Sequence, residues 1–368
     1  MGGSPANATD SFGLCKVLVR FAKVWGRART YHAYTVTVDP NGQMTGFRGG
    51  PGENGNIKTT NNVPCDKYFP DYEPMKRFLS AAFVLVVLAG VSALSRQNGS
   101  AQRSAVAAEG SVGWKTVAPG MELRFLVARK ERVQSNSRIT VLRIDPALWD
   151  LEVLGTSRTG ESTGHTARDW CQRYNLTAAI NAGMFGTDQK THLGYLRYRE
   201  HVNNSHQNNY QSVAAFDPRD SARASRFRIF DLDAPGVTFQ GILKDYASVV
   251  QNLRLVKRPR RNQWSQQERR WSEAALGEDR EGRILFIFSR APFSMHDLNQ
   301  ELLVSDIGLV AAQHLEGGPE AQLYLRAGET KLEMFGSYET SFRENDSNAV
   351  AWEVPNILGV RPRAAKSQ

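Results

Sequence analysis

The sequence predicts an α+β fold: a single domain of mixed or antiparallel sheets with a few packed helices. Three observations predict it. From residue 112 onward, short runs of alternating apolar and polar residues follow one another closely, separated by Gly, Asn, Asp and Pro. Only a few stretches carry the period of an amphipathic helix. The composition, 41% apolar and 23% charged over 368 residues, is that of a globular protein able to bury a sizeable core.

Residues 1–74 stand apart as an atypical extension, rich in Gly, Asn, Pro and Thr, with a short amphipathic pattern only at 15–24. Met75-Lys76-Arg77 then precedes an uncharged run, 78–95. A basic start, an apolar centre and small residues after it form the anatomy of a signal peptide, and Val91-Ser92-Ala93 fits its cleavage site. The expectation is therefore that 75–101 is a signal peptide, with 1–74 an artefact of start-site assignment. The other reading keeps the extension and makes 78–95 a signal anchor, the one contact with a membrane. Both put the remainder on the export side, periplasmic or extracellular. Residues 102–111 read as a linker, and 112–365 as the domain proper.

Within that domain, 121–128 and 139–144 alternate as strands, Asp145-Pro146 turns, and 151–155 is a further strand. Residues 166–174 read as a helix and 176–181 as a buried strand ending at Ala182-Gly183. Strands follow at 211–217 and 226–231, and 246–256 passes from a short helix to a strand. The basic segment 257–270 reads either as a solvated loop or as an anion-attracting rim. Residues 283–289 form an apolar strand. Residues 294–305 form a helix with Ser294 as N-cap and Asp297 where the macrodipole favours acid. Residues 307–326 are strand, Glu-Gly-Gly-Pro turn and strand; 355–360 closes the domain.

The net charge of +9, from 46 basic and 37 acidic residues, would suit nucleic acid, an anionic surface or a phosphate-bearing substrate. No zinc-finger spacing, RNP-like motif or P-loop occurs, so no nucleic-acid partner is expected. Cys15, Cys65 and Cys171 are far apart, and Cys171 reads as buried rather than reactive.

Two strand ends carry the chemistry. Glu316, before Gly317 and Gly318, places a carboxylate at the end of a buried strand, beside glycines that free the backbone. A solvated hairpin glutamate is the plainer alternative. Asn181, before Gly183 and Phe185, presents an amide at a similar strand end. Read as a tolerant turn residue, it is structural. His314 falls on the face of Glu316 by the two-residue period, and His192 lies beside the Asn181 loop. Each could serve acid–base chemistry near neutral pH or be a hydrogen-bonded structural histidine. No cofactor or metal is called for, although Asp188, Glu316 and Glu320 could join a Ca²⁺ or Mg²⁺ ion.

In this order, Ala179–Phe185, Leu193–Leu196, 212–217, Gln251-Asn252, Ser289-Arg290, His314–Gly318 and Val354–Asn356 form a set that resembles the phosphodiester glycosidase family. The resemblance covers roughly residues 121–362. It implies a hydrolase that releases a sugar from a phosphodiester, a glycosidase whose bacterial relatives are exported and linked to exopolysaccharide. The family's first motif, Asn-Gly-Gly or Asn-Ala-Gly with an aromatic, matches Asn181, Ala182, Gly183 and Phe185. Its second, Asp-Gly-Gly-Gly-Ser, is Glu316-Gly317-Gly318-Pro319-Glu320 here, a carboxylate one methylene longer and no Gly-Ser pair.

The chemistry follows from the bond. Phosphate is a good leaving group, so one carboxylate suffices where ordinary glycosidases need two. Glu316, Asn181 and His314 are the expected catalytic residues. Gly183, Phe185, His192, Arg197, Arg290, Gly317, Gly318 and Glu320 are the expected substrate contacts, with Arg197 and Arg290 offering planar forks to phosphate. The expected partner is a phosphorylated glycan or sugar phosphodiester. A non-catalytic polysaccharide-binding or envelope-assembly protein and a metal-dependent phosphodiesterase are the rival readings.

Overall fold

The structure, a computed structural model, describes the backbone of four strands within residues 15–59, and residues 113–129 and 138–364. The signal stretch 75–101 and the linker 102–111 lie outside the described residues. The chain divides into two compact units, one of Met1–Val24 with Tyr31–Glu109 and one of Trp25–Thr30 with Gly110–Gln368. Where the sequence suggested an unpatterned extension, the chain forms strands β1 (Cys15–Trp25), β2 (Ala28–Val38), β3 (Met44–Gly50) and β4 (Glu53–Thr59). They lie in one sheet in that order.

The larger unit begins with β5 (Lys115–Ala118), β6 (Met121–Val127), β7 (Arg138–Ile144) and β8 (Trp149–Gly155). Two helices follow, the single turn α1 (Thr156–Thr159) and α2 (Ala167–Tyr174). Next come β9 (Ala178–Asn181), β10 (Leu196–Tyr198), β11 (His201–Asn204), β12 (Ser212–Pro218) and β13 (Phe227–Asp231). Helix α3 (Phe239–Asp245) leads into β14 (Tyr246–Asn252), β15 (Arg254–Lys257), β16 (Arg261–Asn262), β17 (Trp271–Asp279) and β18 (Ile284–Phe293). Helix α4 (Met295–Val304) precedes β19 (Leu309–Gly317), β20 (Gln322–Ala327), β21 (Thr330–Phe335) and β22 (Asn356–Pro362). The helix expected at the start of 246–256 lies one element earlier, as α3.

These strands form three sheets, in the orders β16-β15-β19-β17-β18-β7-β6-β5, β11-β10-β14-β12-β13 and β21-β20-β9-β22-β8. Every described pairing is antiparallel, so the sheets are not mixed, and sheet dominates over helix. All three sheets turn one face to a common core, which joins Leu142, Ala214, Phe286, Phe288, Leu323 and Leu358. Each outer face is covered by one helix. Met295, Leu298 and Leu302 of α4 pack on Ile139, Val141, Ile287 and Leu309. Trp170 and Cys171 of α2 pack on Ala179, Tyr324 and Ile357. Phe239 and Ile242 of α3 pack on Val213, Ala215 and Val249.

This double covering explains why β17 and β19 are buried at every position, their polar residues included, and show no apolar–polar alternation. The three covering helices are capped by side chains, that of Ser294 as its sequence suggests. The hydroxyls of Thr166, Thr238 and Ser294 accept from the amides of Asp169, Gly241 and Asp297. Burial also pushes the Cys171 thiol up, out of the reactive range, as expected of a packed cysteine.

Candidate active site

The Glu316 stretch is not a hairpin. Its strand β19 belongs to the eight-stranded sheet, whereas β20 belongs to the sheet of β9 and β22, so Gly318–Glu320, a single 3-10 turn, carries the chain from one sheet to another. Just before the corner, β19 bulges. Ala275 pairs with His314 and Ala274 with Glu316, leaving Leu315 as the extra residue. Cross-strand partners share a face. Glu316 therefore lies on the side of Ala274, facing the common core, and His314 on the side of Ala275, facing the α4 layer. The two-residue period that put His314 and Glu316 on one face fails at this extra residue.

Glu316 is 7% exposed, at the rim of the core, and its Oε1 accepts from the Gly317 amide at 3.1 Å. The same alternation assigns Gln313, Asn252 and Asn356 to the core face, each from a different sheet. Asn252 donates to the Ala182 carbonyl at 2.9 Å, but its Oδ1 is buried without a partner. Both amide atoms of Gln313 and of Asn356 are likewise buried and unpartnered. Buried amides normally find partners. Gln313 and Asn356 lack them at both atoms and Asn252 at its oxygen, so unsatisfied donors and acceptors from all three sheets lie on the core face that Glu316 shares.

The Asn181 loop meets this corner, but through the main chain. Asn181 donates to the Glu320 carbonyl at 2.9 Å and accepts from the Gln322 amide at 2.7 Å. Its amide thus ties β9 to the turn. Gly183, at φ 151, lies where a Cβ would stand 2.2 Å from Asn252 Oδ1 and 2.3 Å from the His192 ring. The glycine is required by the protein's own side chains. Gly317 and Gly318 are similar: a Cβ would meet Trp271 at 2.8 Å and Glu339 at 2.6 Å. His192 Nε2 lies 2.9 Å from the Gln251 carbonyl, which can only accept, so Nε2 carries the proton and Nδ1 is left as a buried acceptor. Burial holds the His192 pKa down to about 4, against the lesser opposing effect of the Gln251 bond, and keeps the ring neutral.

His314 has a partner that sequence reading missed. Its Nδ1 lies 2.6 Å from Glu273 Oε1, and the Trp271 indole donates to Glu273 Oε2 at 2.6 Å. Burial pushes the Glu273 carboxyl up, opposed by the charge and hydrogen bond of His314 and by the Trp271 bond. The available signal for Glu273 and Gln313 was local: each directly adjoins an apolar run, Ala274-Ala275-Leu276 and Leu309–Ala312, in a strand buried at every position.

Four expected substrate contacts find other uses. Phe185 is 2% exposed and packs with Trp170 and Tyr324 in the α2 layer. Arg197 donates to the carbonyls of Ala247 and Leu243, both at 3.0 Å, and to that of Tyr246, holding the end of α3. Arg290 lies inside β18 rather than after it. It pairs with Asp346 at 2.7 Å and donates to the carbonyls of Phe335 and Asn348, both at 2.8 Å. Both arginines are struts, because a guanidinium already bonded to carbonyls has few donors left for phosphate. Glu320 lends its carbonyl, not its side chain, to Asn181. Asp188 accepts from Lys190 and Thr191 in its own loop. Among the described residues, no three His, Cys, Asp or Glu side chains are grouped to hold a metal ion.

In the segment 257–270, the first three basic side chains are engaged, while Arg261 and Arg269 are exposed. Lys257 pairs with Asp233 at 2.7 Å, Arg258 pairs with Glu278, and Arg260 donates to the Leu309 carbonyl at 2.8 Å.

Residues 174–361 match the phosphodiester glycosidase family, and the chain belongs to it. Among solved structures it is similar to the zebrafish N-acetylglucosamine-1-phosphodiester alpha-N-acetylglucosaminidase catalytic domain auto-inhibited by pro-peptide. That match is 14% identical at a TM-score of 0.47, over 67% of this chain and 85% of that one. It is also similar to a hypothetical protein from Synechocystis, 15% identical at a TM-score of 0.46, over 67% of this chain and 63% of that one. A search of curated proteins found no match.

Proposed function

We propose that this protein hydrolyses a glycosyl phosphodiester in exported or cell-surface glycan metabolism, with Glu316 as the reacting carboxylate. The observation that carries the reading is the family match over 174–361, which contains Glu316 and all three unpartnered amides. In the reaction the anomeric C–O bond breaks, the phosphate leaves with the electron pair, and water supplies the new hydroxyl. Glu316 stabilises the cationic sugar centre or captures it as a nucleophile. Asn252, Gln313 and Asn356 hydrogen-bond the sugar hydroxyls or the departing oxygen. His192, neutral across the physiological range, supplies an acceptor. The Glu273–His314 pair positions the strand that bears Glu316 from the opposite face. Export rests on the signal-like stretch 75–101. Among the described residues no helix is long and apolar enough to cross a membrane.

The test is a screen of the full chain against sugar-1-phosphodiesters and nucleotide sugars in ¹⁸O-water. Label in the released sugar supports C–O cleavage. Label in phosphate would favour a phosphodiesterase, and binding without turnover a glycan-binding protein.

A further inference from the structure

A cleft of about 580 Å³ opens elsewhere in the larger unit, lined by Arg199, Arg219, Arg226 and Arg363 over a floor of Trp149, Phe216 and Phe227. It contains none of the residues of the candidate active site. Four arginines line it, with Asp217 and Glu200. Two of the arginines are engaged: Arg199 with Asp217 at 3.2 Å, and Arg363 with Asp150 at 2.7 Å. Among the described residues, no hydrogen bond or ion pair engages the side chain of Arg219 or Arg226.

The lip is held in a costly shape. Arg199 and Asp217 both adopt left-handed backbone, at φ 53 and φ 55, which non-glycine residues rarely do. Ser248 fixes both, donating to Asp217 Oδ2 at 2.6 Å and accepting from the Arg199 amide at 3.3 Å. Backbone in this region persists where its surroundings over-determine it, and such places gather at ligand clamps. Here the strained pair fixes Arg199 and its counter-ion, while the side chains of Arg219 and Arg226 of the same cleft carry no partner among the described residues.

We infer that this cleft binds the anionic group, phosphate or carboxylate, of a sugar residue, with Arg219 and Arg226 as its direct contacts. Arginine forks fit either oxyanion. The volume lies in the range of small-molecule sites, far above what a bare ion fills, and leaves room for a sugar ring behind the charged group. The inference does not depend on the proposed hydrolysis, and its test needs no turnover.

The test is calorimetric titration of the full chain with glucuronate, glucose 6-phosphate and glucose. Binding of a charged sugar with none of glucose is expected, and which charged sugar binds tells carboxylate from phosphate. Arg219→Gln with Arg226→Gln should weaken that binding at least tenfold while the unfolding temperature holds. Should the pair of changes lower that temperature, Ser221→Glu adds a like charge to the cleft wall from an exposed position and should weaken binding in the same way. Glucose binding as well as the charged sugars, no charged sugar binding at millimolar concentration, or unchanged affinity in the stable variants would overturn the inference.

Discussion

Two strand ends meet at one corner of this protein, and they resolve their polar groups in opposite ways. At the end of β9, Asn181 is bonded on both sides to main chain, and the space beside Gly183 is filled by Asn252 and His192. At the end of β19, a bulge turns Glu316 to the core face, where Gln313, Asn356 and the oxygen of Asn252 are buried without partners. In sequence the two look alike: a buried strand, a polar residue, then glycine. The difference teaches that the first motif builds the corner and the second uses it.

The largest effect should come from Glu316→Gln, which keeps shape and removes charge. Turnover of a sugar-1-phosphodiester should fall by roughly 10²–10⁴-fold, with substrate still bound in a titration. Unaltered activity would remove Glu316 from the mechanism.

Next is Gly183→Ala. Its Cβ would collide with Asn252 and His192, and the change should cost about 2–4 kcal/mol from overpacking and left-handed strain. Denaturant melts would read this; a cost below 1 kcal/mol would mean the loop yields easily.

His192 gives an effect of similar size that depends on pH. Its folded-state pKa, about 4, lies below the ordinary 6.5, so the unfolded chain binds the extra proton first. Stability is fully present above pH 6.5 and is lost as pH falls toward 4, by an amount on the order of 3 kcal/mol. His192→Gln should flatten that part of the stability profile, and an unchanged profile would assign the acid sensitivity to other groups.

The smallest effect should be that of Asn181→Ala. The unpaired Gln322 amide would cost about 1–3 kcal/mol. Turnover per folded molecule should stay within about tenfold, judged against typical general acid–base contributions. A loss matching that of Glu316→Gln would make both strand ends catalytic and erase the distinction drawn above.

Much of this was legible in the sequence, for local reasons. The caps at Thr166 and Ser294 are chemical signals within one turn of the helices they start, and α2 and α4 begin where those signals lie. Alternation gave the positions of β6, β7, β12, β13 and β22 to within a few residues. The bulge at Leu315 was not legible, because β19 is covered on both faces and its apolar run has no alternation to interrupt. Nor could the sequence tell that Arg197 and Arg290 bond to main-chain carbonyls, since those carbonyls lie 45 to 58 residues away along the chain. The amides of Gln313, Asn252 and Asn356 lie on one core face only because three sheets share that core. No window of sequence contains that fact.

The sheet order β21-β20-β9-β22-β8 has one more consequence. The last strand of the described chain sits inside its sheet, paired on both sides, and separates β9 from β8. A nascent chain therefore carries two unsatisfied strand edges until residue 362 has left the ribosome. The fold cannot be completed from its N-terminal end, and a protein cut short before Asn356 would lack the strand that joins the two halves of that sheet.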